Sequence, residues 1–139
     1  MENIGLISIY CGASLSLLMA LFHSRFYKIF IWKKELEKLT VTNKSVLYTI
    51  HIALILLFLC FSVISFVYAK ELSECKGISL GICLCYSLFW LWRTVWHVFY
   101  FKPGKSGKPL PLHYLLFILV FFILFASYFL PVILRLFFI

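Results

Sequence analysis

Four apolar stretches, Ile4–Phe22, Val46–Ala69, Ile78–Phe101 and Leu112–Leu134, take up most of this chain, and each is as long as a membrane crossing. About 20 apolar residues in a helix span the core of a bilayer. Lipid cannot satisfy an open backbone edge, and four segments are far too few strands to close a barrel, so the crossings must be helices. Only 13% of the 139 residues are charged and 64% are hydrophobic. That is about half the charged share of an ordinary soluble domain, and a soluble fold of this size could not hide so much apolar surface. The sequence predicts an all-α membrane protein, a four-transmembrane-helix up-down bundle, forming a single transmembrane domain over residues 1–139. Its first segment does not read as a signal peptide, because Met1-Glu2-Asn3 carries no positive side chain and no clean small-residue cleavage site follows.

Orientation follows from basic residues in the short links. The amphipathic link 23–45 holds Arg25, Lys28, Lys33, Lys34, Lys38 and Lys44, and the link 102–111 holds Lys102, Lys105 and Lys108. The other side has only Lys70, Lys76 and Arg135. Both basic links are therefore expected in the cytoplasm and both termini outside (N-out/C-out), in a membrane such as the bacterial cytoplasmic membrane. The net charge of +8 is mostly this topology signal, so no nucleic-acid partner is expected. In the long link, Phe26, Tyr27, Phe30 and Trp32 suit the headgroup zone, and Lys33–Lys38 pairs charges of both signs at helical spacing. A helical extension of the first segment or a short interfacial helix is expected there. Thr42 or Asn43 then caps the second crossing. The GKSGK run of the last link lacks phosphate-loop spacing and a preceding strand, and reads as a basic turn.

Absences narrow the chemistry. The chain has no Asp and no Gln, and its five Glu all lie outside the apolar runs. This excludes carboxylate-driven export, carboxylate-bridged di-iron chemistry and a Ser–His–Asp relay. No reaction follows from what remains. The five cysteines form no C-x-x-C pair; they read as small buried apolar residues rather than as a disulfide or metal framework.

The third crossing carries the clearest pattern. Ser79, Cys83, Tyr86, Trp90, Arg93, His97 and Tyr100 recur at alternating steps of four and three, which is one face of a helix. Polar groups in a membrane helix normally face the bundle interior. Tyr86, Trp90 and Tyr100 are thus expected to line a pocket, with Leu84, Leu88, Leu91 and Val95 turned to lipid. Similar stripes run through Tyr48, His51, Ile55, Phe58, Ser62 and Ser65, through His113, Phe117, Val120, Leu124 and Ser127, and through Gly12, Ser16, Met19 and His23. Small residues on the first crossing (Ser8, Gly12, Ser16, Ala20) also permit close helix packing.

His23, His51, His97 and His113 all fall near the same end of their segments, and Arg93 lies one turn deeper than His97. An up-down bundle places them in one layer. Two imidazoles there, His51 and His97 above all, could ligate haem b or a transition metal, with Arg93 meeting haem propionates. That makes a haem- or metal-binding redox or assembly factor the first expectation. Two others come from different classes. One is a non-catalytic accessory or pore-forming subunit in a homo-oligomer or larger membrane complex. The other is an anion- or lipid-binding module centred on Arg93, for which no membrane carboxylate is available as partner. Tyr48, on the His51 face, joins the expected pocket lining.

Overall fold

The computed structural model describes residues 2–29, 31–101 and 111–138, and the regular elements among them are all helices. Four are long and apolar enough to cross a membrane: α1 (Glu2–Ser24), α4 (Val41–Val67), α6 (Ile78–Tyr100) and α7 (Leu112–Phe138). Short helices α2 (Phe26–Ile29) and α3 (Trp32–Leu36) fill the link after α1, and α5 (Ala69–Glu74) fills the link between α4 and α6. Helix suits these segments despite their serines and threonines, because each hydroxyl can return its proton to the preceding turn. Ser14 Oγ donates to the Tyr10 carbonyl at 2.8 Å and Thr94 Oγ1 to that of Trp90 at 2.8 Å, so neither brings an unsatisfied donor into an apolar environment.

Helix α1 packs closely on α4 and α7, and α6 packs closely on α7. The remaining pair, α4 and α6, is held apart by rings instead. Phe58 stacks on Trp90 at 5.2 Å between centroids, and Phe61 stacks on Tyr86 at 3.8 Å. The difference follows from side-chain size. Small residues on α1 let backbones approach, whereas α4 and α6 face each other through Phe, Tyr and Trp.

Tyr128 of α7 is the hub of the core. It is fully buried, its hydroxyl lies 2.9 Å from Ser65 Oγ of α4 and 3.3 Å from Ser16 Oγ of α1, and its ring meets the Tyr86 ring of α6 edge-on at 5.1 Å. Four helices thus converge on one side chain. Gly12 makes room for it: a Cβ there would stand 2.8 Å from Tyr128 Cζ.

The links differ from expectation in two places. Residues 23–45 form neither one extension of α1 nor one interfacial helix. Ile31, at φ 50, turns the chain between α2 and α3, and buried Leu36 anchors the return. Helix α4 then begins at Val41, ahead of the apolar run, with Thr40 rather than Thr42 or Asn43 as its cap. Thr40 Oγ1 accepts from the Asn43 amide at 3.3 Å. Between α5 and α6, Cys75 takes the left-handed conformation at φ 53, and Gly77 follows at φ 55. The basic turn holding Lys102, Lys105 and Lys108 and the side chains of Lys33 and Glu35 lie outside the described residues.

Candidate functional site

The stripe on α6 supplies the site. Ser79, Cys83, Tyr86, Trp90 and His97 are buried, Arg93 is half-buried, and Leu84, Leu88, Leu91 and Val95 are exposed on the other side of the helix. Among the described residues, the buried side-chain nitrogens without a hydrogen-bond partner are Trp90 Nε1, Arg93 Nη1 and both ring nitrogens of His97. All belong to this one stripe. In a neutral imidazole one ring nitrogen donates and the other accepts. The stripe therefore presents N–H groups from three side chains and one lone pair, each costing about 1–3 kcal/mol while unmet.

Arg93 sits between two aromatic faces. Its guanidinium carbon lies 4.7 Å from the centroid of the Phe121 ring and 5.2 Å from that of Phe101. These rings hold the cation by their negative faces and supply no hydrogen-bond acceptor. The side chain thus points along α6 towards its C-terminal end and across to α7.

Two cavities meet at Arg93. The first, about 310 Å³, lies between α4 and α6 under the α2–α3 link and is walled by Trp32, Leu47, Leu54, Phe58, Phe89 and Trp96, with His51 at its side. The second, about 240 Å³, lies between α1, α6 and α7 and is lined by Met19, Phe22, His97, His113, Tyr114, Phe117 and Phe121. His23, Phe26, Arg93 and Phe101 line both and form the partition between them.

The histidines take distinct places around this partition. His23 is buried and donates Nδ1–H to the Met19 carbonyl at 2.9 Å, and its ring stacks on Phe26 at 4.2 Å. His51 donates Nε2–H to the His23 carbonyl at 2.9 Å, which ties α4 to the end of α1. His97 is sandwiched by Tyr114 at 4.8 Å and Phe101 at 5.3 Å. His113 lies in the first turn of α7, exposed at the edge of the second cavity. His51 and His97, the pair best suited by sequence to share one ligand, line different cavities with the partition between them. Among the described residues no group of three or more His, Cys, Asp or Glu side chains is placed to hold a metal ion.

Other expected lining residues also depart from the cavities. Tyr100 is 68% exposed and stacks on Trp96 at 3.9 Å, because the stripe runs one turn past the point where α7 still covers α6. Tyr48 faces Tyr27, 6.4 Å between ring centroids, and lines neither cavity. Tyr86 and Trp90 are buried in the core beneath the cavities and line neither. Sequence reasoning missed Phe26, Trp32, Phe101, Tyr114 and Phe121 as site residues. Phe26 reaches His51 at 5.4 Å because it follows His23, whose carbonyl His51 bonds, and the turn at Ile31 brings Trp32 to 4.7 Å. No protein-family model, curated protein or solved structure matches this chain.

Proposed function

We propose that this protein is a membrane-embedded binding module for an anionic ligand, whose negative group meets Arg93 and His97 where the two cavities join. One observation carries the reading: among the described residues the buried side-chain nitrogens left unpaired fall on a single helix stripe, and two of its residues, Arg93 and His97, line the cavities. A half-buried guanidinium and a buried imidazole, both held against aromatic rings, are preorganised donors, and an oxyanion satisfies such donors best. In this reading the chain crosses a bacterial cytoplasmic membrane as an up-down bundle with both termini outside. The cavities then open at the cytoplasmic leaflet, whose anionic lipids attract the basic links.

The haem reading has weaker support, since His51 and His97 flank the partition from opposite sides. The test is a titration of inorganic phosphate and short-chain dihexanoyl phosphatidylglycerol, read by tryptophan fluorescence. Wild-type protein should show a saturable change. Arg93→Gln should weaken it roughly tenfold or more, the equivalent of a charged hydrogen bond of about 1.5–3 kcal/mol. Identical titrations for the two proteins would refute the anion site. A Soret band lost in both His51→Ala and His97→Ala would replace it with the redox reading.

A further inference from the structure

The two cavities differ in chemistry and in how they open. The smaller one contains the unpaired His97 and shares Arg93. The larger one is walled chiefly by Leu47, Leu54, Phe58, Phe89 and the rings of Trp32, Trp92 and Trp96, and among the described residues the buried unpaired polar atom on its lining is that of the shared Arg93. At about 310 and 240 Å³, each is at or below the lower end of the ~300–1,000 Å³ range of small-molecule sites. A ligand that fills both lobes crosses the partition at Arg93.

The larger cavity lies along the one neighbouring pair of long helices that lacks close backbone packing. α1 seals against α4 and α7, and α7 seals against α6, but α4 and α6 meet only through rings. At the rim of this seam Ile50 is 54% exposed and Trp92 53% exposed. On helices that cross a membrane, that surface faces acyl chains rather than water.

We infer that the ligand is an anionic phospholipid that enters sideways from the bilayer, placing its headgroup against Arg93 and His97 and one acyl chain in the seam between α4 and α6. This rests on the anion site proposed above and adds the ligand's class, its direction and its route. A water-soluble anion would satisfy Arg93 but leave the apolar lobe unfilled, whereas a zwitterionic lipid would fill the lobe and bring its own cation to Arg93. The anionic amphiphile matches both halves. Hydrocarbon moving from bilayer to seam gains little transfer energy, since lipid tails are as apolar as the walls. Selectivity then comes from the headgroup, and the seam fixes where the chain lies.

The experiment is photocrosslinking in nanodiscs, with trace phosphatidylglycerol or phosphatidylcholine carrying the same diazirine-labelled acyl chain. Phosphatidylglycerol should label Ile50, Leu54, Phe89 and Trp92 several-fold more than phosphatidylcholine does. Val63 and Leu88, exposed on the same helices and lining neither cavity, should show no such difference. Arg93→Gln should abolish the excess. Leu54→Trp, which fills the seam, should abolish it as well. If both lipids label the seam equally while the phosphate titration still depends on Arg93, the ligand is a soluble anion and the lipid inference is overturned. Should Arg93→Gln alter neither labelling nor titration, the anion site itself fails.

Discussion

Replacing Gly12 by Ala should destabilise this protein, although the same change in an open helix stabilises by about 1 kcal/mol. The new methyl group would lie 2.8 Å from Tyr128 Cζ, 3.0 Å from Cε2 and 3.2 Å from Ser127 Cβ. Tyr128 cannot retreat freely, since its hydroxyl is tied to Ser65 at 2.9 Å and Ser16 at 3.3 Å, and Tyr86 stands against its ring. Overpacking of this kind costs about 1–3 kcal/mol. Breaking either hydroxyl hydrogen bond inside a membrane protein adds about 0.6 kcal/mol. Set against the helix-propensity gain, the net loss is about 0.6–2.6 kcal/mol. A thiol-reactive fluorogenic dye reads it, because Cys75 and Cys83 are buried in the fold and become reactive on melting. Gly12→Ala should melt several degrees below wild type. In a Tyr128→Ala background, which removes the ring, the same substitution should raise the melting temperature. Stabilisation by Gly12→Ala in the wild-type background, or equal effects in both, would refute the reasoning.

Tyr128→Phe keeps the ring and deletes the hydroxyl, so it should cost only about 0.6–1.7 kcal/mol in the same assay, and Ser65→Ala should cost no more. Gly77→Ala should lose about 1–3 kcal/mol through backbone strain alone, because at φ 55 an added Cβ meets nothing within 4 Å. Burial pushes the Cys75 thiol above its ordinary value of 9.0. The stability this group supplies is complete below that value and is lost as pH rises through its higher folded value; denaturation curves across the alkaline range should fall less steeply for Cys75→Ala. A cysteine introduced at position 105 should react with membrane-impermeant maleimide only from the cytoplasmic side, and strong external labelling would overturn the orientation.

Much of α6 was legible because its polar residues are few and deep. An apolar helix with Ser79, Cys83, Tyr86, Trp90 and His97 on one side has only one sensible inward face, and those residues are buried. Helix α7 gave no such handle. Nearly every register of such an apolar helix looks alike, so of the His113–Phe117–Val120–Leu124–Ser127 line read from sequence Leu124 and Ser127 are buried, while Tyr114, Phe121 and Tyr128 are buried off that line. The signal for Tyr128 was its hydroxyl at mid-span, which must find partners, opposite small residues of α1. The direction of Arg93 was not legible at all. Spacing placed it beside Tyr86 and Trp90, but its long side chain reaches Phe101 and Phe121 instead. The depth of the histidines placed all four near one end of the bundle without showing that the partition would separate His51 from His97. The α2–α3 reversal depends on a positive φ at Ile31, a β-branched residue for which no local pattern predicts it.

Oxyanion binding by Arg93 and His97 is directly visible in a crystal structure grown in a lipidic mesophase doped with phosphatidylglycerol. Density for a phosphate oxygen is expected within hydrogen-bonding distance, about 2.7–3.2 Å, of Arg93 Nη1, with a ring nitrogen of His97 engaged by the same group. Density showing only ordered water bridging these nitrogens, with no anion at either cavity, would contradict it.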